Sequence, residues 1–402
     1  MLLPKDFHLT QPPEDISFSP FSGGCVLFKT GMRRIWVLNH TAAVVWCLLD
    51  EAGCLRDLIN GIVERFKVDE ITAERDIAKI LSYFAAEGLL GEGPAAEEDL
   101  SETEALDLTP EGPIVKELTT WPLQCYFRTP NLVLEFCSEH ITLGKAYCSA
   151  MSYLRLESNK LRPEAKIWLL PGAKRDSWDI ALNGQLFFAG LTEDELLPHV
   201  FMLTFSLAAR ALDDKLLFHA AVLGRAGKVI IFPGVTGSGK TTLTAALIRQ
   251  GWKFFSDELA VMDSERLTIS SFPLPMSIKS GSVPILEPFY PTLGRAKEYR
   301  RPDGKVVRYL APPPASLADG SEEAEIAAII FPRRQDDYSP RLTKTTKITA
   351  LRRLAQTGST QRELQLIDVQ ALITVVENTP CYDLHYADIQ QAVKLLEKQL
   401  AV

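Results

Sequence analysis

The sequence lacks the features that mark secreted, membrane-spanning or nucleic-acid-binding proteins. Its seven cysteines form no CxxC pair among 402 residues, which argues against a structural zinc site or a disulfide framework. No apolar run approaches the roughly 18 residues that a membrane-spanning helix needs, and the start resembles no secretion signal. Lys and Arg number 43 against 51 Asp and Glu, so there is no basic surplus. We expect a soluble, cytoplasmic protein that binds neither membrane nor nucleic acid.

Length and one acidic stretch divide the chain. At roughly 150 residues per domain, the length favours two or three domains. Residues 91–113 contain eight acidic side chains and no basic one, a composition that cannot bury enough apolar surface to order itself. We predict a small α+β domain at residues 1–92, a solvated acidic linker at 93–113 and an α/β domain at 114–402.

Residues 24–91 have the pattern of a winged helix-turn-helix. Two alternating runs on either side of Thr30-Gly31 predict a β-hairpin, and three amphipathic stretches predict helices after it. Asn39 or Thr41 is a suitable N-cap for the first helix. The third helix is roughly balanced in charge, so the pattern does not favour DNA binding.

The strongest chemical signal is the run from Gly234 to Thr241, which fits the phosphate-binding pattern GxxxxGK[ST] between a strand and a helix. Glycines let backbone N–H groups turn toward phosphate oxygens, and the helix N-terminus adds partial positive charge. Lys240 is expected at the terminal phosphates of ATP and Thr241 at Mg²⁺. The predicted nucleotide-binding residues are Gly234, Val235, Thr236, Gly237, Ser238, Gly239, Lys240, Thr241 and Thr242.

Two acidic residues, Asp257 and Glu258, end the next predicted strand. That strand, the preceding helix and the strand at 228–232 predict a βαβ unit, in which the carboxyl ends of both strands lie side by side. The two carboxylates would then lie beside the phosphate loop, where a Mg²⁺ ligand and a proton acceptor are needed for transfer to a hydroxyl. His219 interrupts an apolar strand and is a weaker catalytic candidate.

In order and separation, these features resemble the catalytic core of HPr serine kinases/phosphorylases, and more closely the HPr-kinase-related proteins. The run from Phe272 to Lys279 completes the shared pattern. The resemblance implies a kinase domain of the phosphoenolpyruvate-carboxykinase-like P-loop fold that uses ATP and Mg²⁺ to phosphorylate a serine. It implies catalytic roles for His219, Lys240, Asp257 and Glu258, with Thr241 and Asp257 at the metal, and leaves open which acid is the base. HPr itself is not the expected acceptor, because its recognition signature is absent.

Further basic residues are candidate phosphate or substrate contacts. Lys279 lies in the shared run, and Arg333 and Arg334 follow the predicted strand at 326–331. Six basic residues between positions 294 and 308 surround a predicted turn. This basic segment fits a solvated hairpin or an arm that receives phosphate or an acidic peptide.

Residues 24–91 also resemble PqqD-type peptide chaperones, most specifically in the Leu-Asn-x-Thr-Ala-Ala run at 38–43. Such modules recognise leader peptides of ribosomally made, modified peptides. The resemblance implies β-augmentation, in which the peptide pairs with an edge strand, here residues 32–38, beside the third helix at 74–87. The implied peptide-binding residues are Arg33, Arg34, Ile35, Trp36, Val37 and Leu38.

The two modules together predict a kinase whose substrate is a precursor peptide. A flexible tether of about 20 residues gives an effective concentration near millimolar, so the kinase pocket can bind its acceptor weakly. Two alternatives stay open: a nucleotide-gated peptide chaperone without phosphotransfer, and a kinase for the hydroxyl of a small molecule. HPr kinases are oligomeric, so a homo-oligomer also stays open, although no sequence feature marks an interface.

Overall fold

The computed structural model describes residues 12–13, 15–49, 52, 54–90, 106–157, 162–235, 237–318, 323–336, 338–360 and 362–400. The chain divides into two units. Unit 1 comprises Met1–Glu104 with Thr345–Cys381, and unit 2 comprises Ala105–Lys344 with Tyr382–Val402. This division differs from the predicted one, because residues 345–381 belong with the N-terminal module and not with the α/β domain.

The helices and strands, in chain order, are β1 (Ile16–Phe21), β2 (Gly24–Lys29), β3 (Ile35–Asn39), α1 (His40–Leu49), α2 (Leu55–Phe66), α3 (Glu70–Ala86), β4 (Leu123–Thr129), β5 (Leu132–Ser138), α4 (Ile141–Ala150), β6 (Arg155–Leu156), β7 (Ala165–Pro171), β8 (Trp178–Leu182), β9 (Gln185–Leu191), α5 (Glu193–Arg210), β10 (Leu216–Arg225), β11 (Lys228–Pro233), α6 (Lys240–Ile248), β12 (Lys253–Ser256), β13 (Leu259–Asp263), β14 (Thr268–Ser270), β15 (Met276–Lys279), α7 (Val283–Leu286), β16 (Tyr299–Arg300), β17 (Val306–Leu310), β18 (Glu323–Arg334), β19 (Arg341–Lys344), α8 (Lys347–Gln356), α9 (Leu366–Asn378), β20 (Cys381–Tyr386) and α10 (Ile389–Gln399). None of the described helices is both long and apolar enough to cross a membrane.

Unit 1 contains a three-stranded antiparallel sheet in the order β1-β2-β3, with helices α1 to α3 packed on one face. The predicted hairpin is present as β2 and β3, and β1 adds a strand that the sequence pattern did not predict. Asn39 is the N-cap of α1, because its Oδ1 accepts a hydrogen bond from the Ala42 N–H over 2.9 Å. Asp69 caps α3 in the same way, through the Thr72 N–H over 2.8 Å.

The other face of this sheet is covered by α8 and α9. Along β2, Cys25 and Leu27 belong to the core shared with α1 to α3. Val26 and Phe28 point to the opposite face, because successive side chains of a strand alternate, and they are buried as well. A strand that is apolar on both faces needs two covering layers, and this is why residues 345–381 join unit 1.

Unit 2 has two main sheets. The first has the order β6-β4-β5-β7-β8-β9 and shares a core with α4 and α5. In the second, β18 pairs with β11 in parallel and with β14 antiparallel, so β11, β10, β13, β14 and β18 close into a ring. Helices α6 and α10 pack on this second sheet, and a small sheet of β15, β17 and β16 lies near α6.

Two further predictions differ from the structure. The predicted βαβ unit requires β11 and β12 to be neighbours in the sheet. They are not, because β10 lies between them and pairs antiparallel with both. Most of the predicted linker lies outside the described residues, but residues 106–113 do not form a solvated tether. Leu108 is buried in the core of unit 2, and the Pro113 carbonyl accepts from the Leu186 N–H over 2.9 Å. The apolar side chains within this acidic stretch give it surface to bury.

Candidate functional site

The predicted phosphate loop connects β11 to α6, and glycine is required at two of its positions. Gly237 and Gly239 have φ angles of 90° and 94°, in the left-handed region that side chains disfavour. A Cβ atom on Gly239 would lie 2.4 Å from Tyr386 Oη, so a larger residue would also collide there. Gly239 is the N-cap of α6, so the unpaired N–H groups of the first helical turn lie at the loop. Thr236 lies outside the described residues.

Lys240 is buried inside this loop. Its Nζ donates hydrogen bonds to the carbonyl of Gly234 and, over 3.4 Å, to that of Val235. Burial lowers the pKa of the Lys240 ammonium, and the carboxylates of Glu258 and Asp257 oppose that shift. The ammonium therefore lies at the loop and within the field of both acids. Next along the helix, Thr242 donates from Oγ1 to Ser282 Oγ over 2.9 Å, so its hydroxyl has a partner inside the protein.

Asp257 follows β12 and is 5% exposed. Burial, assisted by the charge of Glu258, raises the pKa of Asp257 to about 7, although hydroxyl hydrogen bonds from Thr241 and Thr244 oppose the shift. Its Oδ1 atom is buried and has no hydrogen-bond partner among the described residues. A buried polar atom without a hydrogen bond lowers the stability of the folded state unless a ligand or another group contacts it. The acid thus lies near two hydroxyls of α6, and its buried Oδ1 atom is available to a ligand.

These oxygens fit a magnesium ion. Mg²⁺ prefers carboxylate, hydroxyl and phosphate oxygens, and proteins usually supply only one or two carboxylates while waters and phosphates supply the rest. The free Oδ1 of Asp257 next to Thr241 meets that requirement. Among the described residues, no group of three or more His, Cys, Asp or Glu side chains could hold a metal. An ion here would therefore depend on the phosphates of a nucleotide for part of its ligand shell.

Glu258 and His219 form a second, more open pair. His219 Nδ1 lies 3.6 Å from Glu258 Oε1, and the Glu258 side chain is 43% exposed. Strand pairing fixes this contact, since His219 lies opposite Leu259 and the Ala220 N–H donates to the Glu258 carbonyl over 3.2 Å. Burial lowers the pKa of His219, with Lys240 and Lys279 contributing and Glu258 opposing. The imidazole is therefore neutral at neutral pH beside a carboxylate that solvent can reach.

The basic residues that were predicted to contact phosphate or substrate differ in how near they lie to the loop and the two acids. Lys279 ends β15 and is half-buried; burial lowers its pKa, as do the nearby charges of Lys305 and Arg301, while Glu258 opposes them. Lys279 pairs with Val307 of β17, and the charges of Glu258 and of the hairpin of β16 and β17 act on its ammonium. In that hairpin the Arg301 N–H donates to the Lys305 carbonyl over 2.9 Å, and both side chains pair with Asp303. The basic segment is therefore a hairpin with one shared acid and a remaining positive charge.

Arg333 and Arg334 end β18, which runs parallel to β11, so both lie at the same sheet edge as the loop. Ala328 and Ile330 of β18 pack in the cluster that contains α6. Because side chains alternate along a strand, Arg334 shares their face and Arg333 points away from it. The Cβ of Arg334 lies 3.7 Å from the Cβ position of Gly239. The structure therefore brings Arg334 to the loop, although the sequence predicts a phosphate contact for Arg333 as much as for Arg334.

The predicted peptide-binding residues lie at the edge of the unit 1 sheet, since among the described residues β3 pairs only with β2. Ile35, Trp36, Val37 and Leu38 belong to β3, whereas Arg33 and Arg34 precede it. Glu87 at the end of α3 ties this helix to β3: it accepts from Trp36 Nε1 over 2.9 Å and pairs with Arg34 over 2.5 Å. An edge strand beside a helix, as β-augmentation requires, is therefore present.

Three residues of these surfaces were missed by the sequence analysis. Thr244 follows Thr241 by one helical turn, and that spacing could have identified it as a second hydroxyl at Asp257. Tyr386 contacts the loop at Gly239, and Arg352 contacts β3 at Val37. No local pattern marks either of them, because each lies more than a hundred residues from its partner.

Comparisons with known proteins identify one region. No curated protein matches the chain. Residues 24–90 match the family described as "Coenzyme PQQ synthesis protein D (PqqD)", so the N-terminal module of unit 1 is PqqD-like.

Proposed function

We propose that the chain is an ATP-dependent kinase that phosphorylates a hydroxyl, preferentially that of serine, on a ribosomally made precursor peptide held by the PqqD-like module. One observation carries the kinase half: the buried Asp257 oxygen without a partner among the described residues, next to a loop of the P-loop form. The peptide half rests on the PqqD match at residues 24–90 and on the edge strand β3.

The loop residues would bind the phosphates of ATP. The backbone N–H groups at the start of α6 would donate hydrogen bonds to a phosphate bound there, and the helix dipole would favour the negative charge of that phosphate. The Lys240 ammonium, now bonded to two loop carbonyls, would exchange them for phosphate oxygens with little movement. Arg334, on the face of β18 that meets the loop, supplies a further cation at the same edge.

The two acids would divide the remaining work. Asp257 and Thr241 would hold Mg²⁺, which when bound neutralises the charge of the terminal phosphates. Glu258 is the better proton acceptor, because it is open to solvent and lies 3.6 Å from a neutral His219. The acceptor oxygen attacks the terminal phosphorus, the bond to the ADP oxygen breaks, and the hydroxyl proton passes to Glu258.

The experiment uses the full chain with synthetic peptides encoded by short reading frames adjacent to its gene. With ATP and Mg²⁺ we expect a phosphate on a serine of one peptide, detected by mass spectrometry. The Lys240→Ala variant should lose this product by at least about 10³-fold while it still binds the peptide, because the phosphate clamp is removed. Lys228→Ala, at the exposed start of β11, is the matched control and should keep activity.

Other results would change the assignment. Peptide affinity that depends on ATP without any phosphorylated product would favour the nucleotide-gated chaperone. Phosphorylation of a free amino acid or sugar, with no effect of peptide, would favour a small-molecule kinase. Peptide phosphorylation that survives Lys240→Ala would show that the loop is not the nucleotide site.

A further inference from the structure

The edge of β3 is partly occupied by another segment of the same chain. Arg352 of α8 donates from Nε to the Val37 carbonyl over 3.0 Å. A little further along, the Leu364 N–H donates to the Met32 carbonyl, at the turn before β3, over 3.2 Å. Covering an edge strand is a common way to prevent unwanted pairing. Here the cover lies on the strand that the proposed function assigns to the peptide.

The charge of Arg352 also reaches the α3 side of β3. The pKa of Tyr83, on α3, is raised by burial and by Glu87, and it is lowered by the charges of Arg34 and Arg352. Both guanidinium charges therefore act on the Tyr83 hydroxyl. Since Glu87 already pairs with Arg34 and accepts from Trp36, it is engaged on the β3 side of the groove.

A peptide strand needs the position that Arg352 Nε now holds. In an antiparallel pair, the N–H and C=O groups of alternate residues point to the same edge. The Val37 carbonyl bonds to α8, so the backbone groups of Val37 and Ile35 face the open edge of β3. A paired peptide would donate its own N–H to Val37, along the direction from which Arg352 donates.

We propose that Arg352 of α8 and the leader peptide compete for the Val37 carbonyl, so that the β3 edge is closed until the peptide displaces Arg352. The inference rests on the proposed peptide-binding function of β3. The backbone of α8 need not move: its apolar side chains Ala350, Leu351 and Leu354 are buried, whereas Arg352 is exposed apart from this contact. Opening then requires only another rotamer of one long side chain. The closed edge would reject short or weakly pairing segments.

The test uses the full chain and a defined probe. A phage library of random twelve-residue peptides is selected on the protein, and a binder that slows hydrogen exchange at Ile35 and Val37 is labelled with fluorescein. Fluorescence anisotropy then gives its affinity for four proteins. We expect Arg352→Ala and Arg352→Met, which keeps the apolar stem, to bind about three- to tenfold more tightly than the unchanged chain. Gln356→Ala, one turn later on the same exposed face of α8, should bind like the unchanged chain.

Each other result has a distinct meaning. In one case, both Arg352 variants bind the probe no more tightly than the unchanged chain does, while the probe still slows exchange in β3. That result would contradict competition between Arg352 and the peptide, and the peptide-binding role of β3 would stand. If no selected peptide protects Ile35 or Val37, even in the Arg352 variants, the proposed role of β3 fails, and competition fails with it.

Discussion

Each unit contains a buried carboxylate, and the two have very different surroundings. Asp368 in α9 of unit 1 is fully buried and forms two hydrogen bonds with Arg362, of 2.6 and 2.9 Å. It also accepts from the Gln365 N–H over 2.8 Å. Asp257 in unit 2 lies near the Thr241 and Thr244 hydroxyls and in the field of Lys240, but its Oδ1 atom has no hydrogen-bond partner among the described residues.

This difference separates an acid with structural partners from the acid that the proposed function uses. A buried charge is tolerated when an opposite charge and hydrogen bonds compensate for lost hydration, as at Asp368. Asp257 lacks that compensation, and its pKa is raised to about 7 as a result. The fold retains a carboxylate that costs stability, which is the usual mark of a group kept for binding or chemistry. Substitutions at the two positions should therefore have opposite effects.

Asp257→Asn should give the largest change. We expect phosphoryl transfer to fall by at least about 10³-fold, because the proposed metal ligand is lost. The nucleotide-free protein should become more stable. Between its ordinary pKa of 3.8 and about 7, the folded state keeps a proton that the unfolded state releases, so ionisation costs stability as pH rises. The gain should therefore be small near pH 4 and on the order of a few kcal/mol at pH 8. Urea unfolding at both pH values measures it.

A loss of stability at pH 8 in Asp257→Asn would contradict this account, since it would mean that the ionised carboxylate has partners in the folded state. Measurement with Mg²⁺ and ATP provides the internal control. Ligands that bind only the folded state should stabilise the unchanged chain more than the variant.

Asp368→Asn should show the opposite pattern. Removal of the charge weakens the two hydrogen bonds that Arg362 donates, and we expect a loss of about 2–4 kcal/mol in unit 1. Phosphoryl transfer by the nucleotide site should be unchanged at a temperature where unit 1 stays folded. Hydrogen exchange followed by mass spectrometry locates the effect, which should lie in β1 to β3, α8 and α9. Asp303→Asn, which breaks two exposed ion pairs, is the control and should cost less than about 1 kcal/mol. Faster exchange in the α6 region of Asp368→Asn would contradict the division into units.

The sequence could predict those structural features that are determined by residues close together in the chain. The loop from Gly234 to Thr241 is a continuous motif whose glycines set its backbone, so its place between β11 and α6 follows from local pattern. Strands such as β8 and helix α10 follow from periodicity for the same reason. The approach of Asp257 to Thr241 was also expected, although β10 between the two strands was not.

The sequence could not predict packing contacts between residues that lie far apart in the chain. Helix α8 has an ordinary amphipathic pattern, which does not reveal whether its apolar face packs in unit 1 or unit 2. That choice follows from the doubly buried strand β2, whose Val26 and Phe28 need a cover. Leu108 in the predicted linker is a similar case, since a few leucines in an acidic stretch give no signal of where they pack. Long-range packing decides such cases, and no local pattern encodes it.

The smallest expected effect tests whether position, and not residue type, identifies a functional group. Arg333 and Arg334 are adjacent, exposed and chemically identical, but only Arg334 is on the face of β18 that meets the loop at Gly239. We expect Arg334→Ala to weaken ATP binding about tenfold, as measured by titration calorimetry, because a cation near the phosphates is lost. Arg333→Ala is the matched control and should change the affinity less than twofold. Equal losses in both variants would indicate a general field of positive charge at this sheet edge. A loss in Arg333→Ala alone would mean that the nucleotide lies on the other side of β18.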